Sequence, residues 1–177
     1  LKHRLLRAAD DDDLVAAMVR TLRYMRSTGT GAFVDFRESG VHGVELLRRA
    51  LDEADTGLDA IVLARGSVEA MAAGDGVGAS GARDADYEPL RRAAREAGKP
   101  FGIHAGERDP ADVNPALDLD PDHLVHMVHL DAVHLDRLAE SAVPVVVCPR
   151  SNLVTGVGLP DLGALRDAAA PERGGPA

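Results

Sequence analysis

Short apolar runs alternate along the chain with longer stretches whose apolar residues recur at helical spacing, and this rhythm restricts the available folds more than any other feature. Residues 12–27 place Leu14, Met18, Leu22 and Met25 on one helical stripe, with Asp11 to Asp13 suited to the N-terminal end of that helix. Ala32 to Phe36 then reads as a strand, and Val44 to Ala54 as an amphipathic helix with Leu46, Leu47 and Leu51 inward. A second unit follows, with a strand over 60–64, a glycine-rich loop over 74–81 and a helix over 86–97. Further strands are expected at 100–104, 123–128 and 143–148, with an irregular or briefly helical connection over 109–120 and a helix over 131–141. Strands that alternate with helices pair in parallel through right-handed crossovers. The expectation is therefore an α/β fold, a parallel (β/α) barrel of TIM type with about five of eight units visible.

A length of 177 residues, 45% of them apolar, suits one domain, expected over 1–167, with 168–177 as a disordered tail. The core must be aliphatic, because Trp is absent and only three Phe and two Tyr occur. The same scarcity denies bases an aromatic platform, and a formal charge of −9 repels phosphate backbones, so nucleic acid is not an expected partner. Eighteen Arg against two Lys, with abundant Asp, fits either a salt-rich cytoplasm or high-GC coding. The apolar runs fall far short of the ~20 residues that span a bilayer, and no secretory signal opens the chain, so a cytoplasmic protein without a membrane partner is expected. One cysteine, Cys148, excludes an intrachain disulfide and a multi-cysteine zinc site. Five units would leave an open sheet edge, a route to homo-oligomers unless further segments close the barrel.

Several of the strands end on polar residues, and strand ends are where barrel enzymes keep their chemistry. His104 ends one run and is followed by Ala105, Gly106 and Glu107. A neutral imidazole there can ligate a metal, while the two small residues let the chain turn so that the carboxylate reaches an activated water. Such a carboxylate can take the water's proton and pass it to a leaving nitrogen. As an isolated pattern the same four residues more often describe a surface or capping pair. His126 lies 22 residues further on, about one unit, where it could orient the attacking water and stabilise oxyanion charge; His123, His129 and His134 compete for that place. His126 and His129 sit on opposite faces of an extended strand, so at most one looks inward. Beyond Cys148, Arg150 could meet an anion, while Ser151 and Asn152 could bind substrate or brace a turn. Cys148 itself follows a valine run without an evident base and makes a poor nucleophile. Asp35, Arg37 and Glu38 close the first strand as pocket lining or as a salt-bridge network, with Arg37 the candidate substrate contact. The glycines of 74–81 fit neither a P-loop nor a dinucleotide fingerprint and read as a mobile loop.

Taken in order, His104-Ala105-Gly106-Glu107, then Val125-His126-Met127-Val128-His129-Leu130, then Val147-Cys148-Pro149-Arg150-Ser151-Asn152-Leu153 with a later Gly158-Leu159-Pro160, the sequence resembles the amidohydrolase superfamily. Within it the likeness is to the branch of adenosine and guanine deaminases and triazine chlorohydrolases, and it covers about Phe101 to Asp161. The resemblance implies a metal-dependent barrel hydrolase with one divalent ion, zinc or iron. It implies His104 as a metal ligand, Glu107 as proton shuttle and His126 as an assisting residue, acting on a small nitrogen heterocycle at a C–N or C–Cl bond. It also implies a His-x-His pair and a later Asp as further ligands. The sequence contains no His-x-His, and Asp161 and Asp167 follow too closely to end a later strand, so these ligands are expected in a longer protein of which this is a part. The alternative is a catalytically inactive barrel that binds a ligand or serves as a subunit.

Overall fold

The computed structural model describes residues 4, 6 and 8–169. They fall into two compact units that divide between Val77 and Gly78.

In the first unit, helix α1 (Asp11–Ser27) starts at Asp10, whose carboxylate accepts the Asp12 N–H at 2.9 Å, and carries three acidic residues in its first turn. Its buried stripe of Val15, Val19 and Leu22 packs on Leu46, Ala50 and Ala54 of helix α2 (Gly40–Ala54). Strand β1 (Ala32–Arg37) pairs in parallel with β2 (Asp59–Ala64), Val34 opposite Ile61. A short helix α3 (Val68–Ala73) follows, then β3 (Gly76–Ala79), which pairs with β2 through Leu63 and Gly76. The expected glycine-rich loop is thus partly a strand, and it is fully buried. Glycine is depleted in strands, so Gly76-Val77-Gly78-Ala79 gives no strand signal.

The second unit contains α4 (Glu88–Glu96), β4 (Phe101–Ala105), a 3₁₀ turn (Pro110–Asp112) leading into α5 (Val113–Asp118), β5 (His123–His126), α6 (Ala132–Ser141), β6 (Val145–Val146), α7 (Pro149–Thr155) and α8 (Leu162–Ala169). The strands follow the order β1-β2-β3-β4-β5-β6, and the registered pairs are parallel. This is the sequential α/β order of a partial TIM-type barrel, as expected, with six strands where the sequence rhythm shows five. Phe101, Ile103, Ala105 and Leu124 are fully buried and make the aliphatic-rich core. The expected tail falls, from residue 170 on, outside the described residues; residues 168 and 169 end α8. No helix among the described residues is long and apolar enough to cross a membrane.

His123 lies opposite Gly102 in the β4–β5 ladder, its ring where a Gly102 Cβ would be. Burial holds the imidazole below its ordinary value of 6.5, against the opposing charge of Asp122. The unfolded chain therefore binds this proton more tightly, so stability present above 6.5 is lost as pH falls through the folded value. Urea midpoints should drop on acidification below that range, and the drop should be smaller in His123→Gln; equal slopes in both proteins would contradict the assignment.

Candidate active site

His104 and His126 end neighbouring strands, yet a regular ladder would keep them apart. Register pairs His104 with Val125 and Ala105 with His126, and paired residues share a face, so the pleat alone puts the two imidazoles on opposite sides. The pleat stops at His126. Its φ is 80° and that of Met127 is 50°, two consecutive left-handed residues that bring the His126 ring to 5.2 Å from that of His104, centroid to centroid. Backbone bonds hold this turn: Met127 N–H donates to the Ala105 carbonyl at 3.0 Å, and Val128 and His129 both donate to the Gly106 carbonyl. Non-glycine residues in this region cost energy and concentrate at functional sites.

Gly106 is the counterpart on the other strand. It has φ 61°, its N–H donates to Asp112 Oδ1 at 2.9 Å, and an added Cβ would meet the His129 carbonyl at 3.1 Å and Val113 Cγ2 at 3.2 Å. Gly106→Ala should therefore lower stability by about 1–2 kcal/mol from backbone strain, with crowding adding to it. The readout is the urea midpoint, and an unshifted midpoint would refute the strain.

The tight turn carries Glu107 back over the strand ends, where its Oε1 lies 3.8 Å from His126 Nε2 and the side chain is about one-third exposed, at 32%. His104 Nδ1 is 2.9 Å from the Ala79 carbonyl, which can only accept, so in the neutral ring Nδ1 carries the proton and Nε2 the lone pair. His104 and Glu107 share a polar cavity of about 380 Å³ with Ser80, Arg83, Asp84 and Asp112. None of these four was picked out by the sequence pattern, although Asp112 belongs to the noted Asp-rich connection. Asn152, on α7, is fully buried and its Oδ1 lies 2.6 Å from His126 Nδ1, so it stands behind the histidine. Cys148 is partly buried, and burial together with the nearby Glu107 carboxylate pushes its thiol up, the reverse of what a nucleophile needs. Arg37 lies in the first unit, its guanidinium 3.0 Å from Asp35 and 3.0 Å from Met18 Sδ, at a largely apolar cavity of about 490 Å³. Arg65 pairs with Glu38 at 2.8 Å, so the charges after β1 form ion pairs.

No family model matches the chain. A protein of Archaeoglobus fulgidus named "Putative aminohydrolase" is 38% identical over 167 residues, 88% of this chain and 47% of that protein. The fold is that of an N-isopropylammelide isopropylaminohydrolase from Burkholderia multivorans, with TM-score 0.69 and 18% identity over 96% of this chain and 53% of the other. It is also that of an adenosine deaminase from Xanthomonas campestris with bound zinc, with TM-score 0.61 and 15% identity over 93% and 46%. The chain is thus a relative of a protein named as an aminohydrolase, and its fold is that of these two hydrolases. It spans about half the length of the curated relatives it matches.

Whether this site could hold a metal turns on donor atoms. The His104 tautomer, with its proton held on Nδ1 by Ala79, presents the nitrogen a metal takes, so this residue fits a ligand. Among the described residues, however, no three His, Cys, Asp or Glu side chains gather closely enough to hold an ion. A catalytic zinc needs about three protein ligands, so the described residues do not by themselves build the centre.

Proposed function

We propose that the whole protein is a hydrolase that displaces the amino group, or a chlorine, from a small nitrogen heterocycle by attack of an activated water. The observation that carries this reading is the convergence of His104, Glu107 and His126 at the ends of β4 and β5, with Glu107 Oε1 3.8 Å from His126 Nε2. Support comes also from the aminohydrolase relative and from the shared fold of an adenosine deaminase and an isopropylaminohydrolase. In the reaction, the water oxygen bonds to the ring carbon that carries the amino group. Glu107 takes the water's proton and delivers it to the leaving nitrogen, the C–N bond breaks, and ammonia departs. His126 orients the water. A divalent ion, zinc or iron, when bound would lower the water's pKa toward neutrality. His104 is the ligand this chain contributes, and Arg37 is proposed as a substrate contact only in the complete protein.

The test is to purify the full-length protein with zinc or iron and follow ammonia release from aminated purines, pyrimidines and triazines, and chloride release from a chlorotriazine. Turnover of any one supports the reading, and a metal-loaded, folded protein inert toward all of them would sink it. A second reading, a barrel that binds a ligand without catalysis, is favoured for this chain in isolation by the lack of a three-ligand cluster among the described residues. A full-length protein that folds without metal would support it. We place the protein in the cytoplasm, with a small heterocycle as its partner and self-association through the sheet edge as its route to oligomers.

A further inference from the structure

We propose that Asn152 is a positioning residue that holds His126 as the Nδ1–H tautomer, so that the neutral ring acts on the water only as an acceptor. The inference rests on the reading of His126 as part of a hydrolytic site. Asn152 Oδ1 lies 2.6 Å from His126 Nδ1, and both residues are buried, Asn152 completely and His126 to 5% exposure. An amide oxygen cannot donate, so a contact this short is attractive only if Nδ1 carries the proton; the other tautomer would set two lone pairs against each other. Burial keeps water from relieving that repulsion.

The arrangement also carries a cost. Asn152 Nδ2 is buried and has no hydrogen-bond partner among the described residues, a loss that an apolar residue of similar size would not incur. Helix α7 nevertheless seats the side chain there, its first turn anchored by the Asn152 N–H bond to the Cys148 carbonyl at 2.9 Å and its end by Val157 N–H on the Asn152 carbonyl at 3.1 Å. The residue is explained by what its oxygen does to His126. Together with the left-handed backbone at His126, the bond fixes both where the ring lies and which nitrogen it offers. Nε2, carrying the lone pair, faces Glu107 Oε1 at 3.8 Å, beyond hydrogen-bond length. Two acceptors side by side can hold the O–H groups of an incoming water. A neutral His126 of this tautomer has no proton at Nε2 to give to a developing oxyanion. The dual role expected from the sequence, orienting the water and stabilising oxyanion charge, thereby narrows to the first.

Long-range ¹H–¹⁵N correlation of the imidazoles in the ¹⁵N-labelled chain, at about pH 8 where an ordinary histidine is neutral, reads the tautomer directly. The expected result is Nδ1–H at His126 in the wild type, loss of that preference in Asn152→Ala, and its return in Asn152→Asp, which keeps an acceptor oxygen. An Nε2–H ring in the wild type, as a turned-round Asn152 amide would give, overturns the proposal, and so does an Nδ1–H preference that survives in Asn152→Ala. Should Asn152→Ala fail to fold, the wild type and Asn152→Asp decide: Nε2–H in either one refutes it. In the full-length protein, Asn152→Ala should lower kcat by about 10–100-fold with a much smaller change in KM, and Asn152→Asp should recover most of the loss. The expected tautomers without any ammonia release would sink the proposed function and leave the positioning role standing; ammonia release with the opposite tautomer would do the reverse.

Discussion

Glu107→Gln in the full-length protein should reduce kcat by about 10²–10⁴-fold, the range by which a positioned acid–base group accelerates proton transfer. Gln keeps the shape of the side chain and its reach toward His126 Nε2, 3.8 Å away, but can neither take the water's proton nor return it to the leaving amine. The loss should fall on kcat, because proton transfer belongs to the transition state more than to substrate binding. Folding should be almost unaffected, since the side chain is partly exposed and its contact with the buried His126 Nε2, at 3.8 Å, is beyond hydrogen-bond length. Ammonia release, together with a thermal melt of the variant, checks both halves. Unchanged turnover would remove Glu107 from the mechanism; a collapsed melt would mean that the carboxylate is structural.

Arg91→Leu should be the most disruptive single change to stability, at about 3 kcal/mol. Arg91 is 8% exposed and ties α4 to the turn between α5 and β5. Its Nε donates to the Leu119 carbonyl at 3.1 Å, Nη2 to the Asp120 carbonyl and Nη1 to Asp122 Oδ2 at 3.2 Å, and its guanidinium lies 5.7 Å from the centre of the Phe101 ring. Asp122 Oδ2 also receives the Phe101 N–H at 2.7 Å, so the same group aligns the start of β4. Removing the guanidinium takes a donor from each of two carbonyls and leaves the Asp122 carboxylate with the Phe101 N–H but without its cation. Arg91→Lys should recover only part of the loss, because a single ammonium cannot serve three acceptors spread around a planar fork. Urea denaturation of the three proteins measures this, and a Leu variant within about 0.5 kcal/mol of wild type, the usual range for surface substitutions, would show the network to be idle. The exposed pairs of Arg49 with Asp12 and Glu53 should matter far less, since water and salt screen them.

Much of the fold was legible because its elements carry their periods openly. Helix α1 was read to within a residue of its observed start, and α6 ends where its apolar spacing ends. Strand β3 was not legible, since three of its four residues are glycine or alanine and these carry no strand pattern. The run Val143 to Cys148 misled in the opposite sense: its apolar character suggests a full strand, yet only Val145 and Val146 join the ladder. Pro144 has no N–H to give, and Pro149 opens helix α7 immediately after. The Cys148-to-Asn152 stretch, readable as a turn, is the first part of that helix, which is what buries Asn152.

The site divides along the same line. The sequence by itself determined which residues are proposed to carry the chemistry, because His104 and Glu107 flank two small residues and His126 follows at one βα repeat, relations that hold along the chain. Only the tertiary structure decided how those residues face one another and which ring nitrogens carry protons. The tautomer of His104 depends on the Ala79 carbonyl, 25 residues away, and that of His126 on Asn152, 26 residues away. The meeting of the two rings depends on a left-handed turn at His126 that overrides the strand's alternation. A period of two or 3.6 residues records which face a side chain takes within one element. It holds no information about the carbonyl or amide that another element brings to within hydrogen-bond distance.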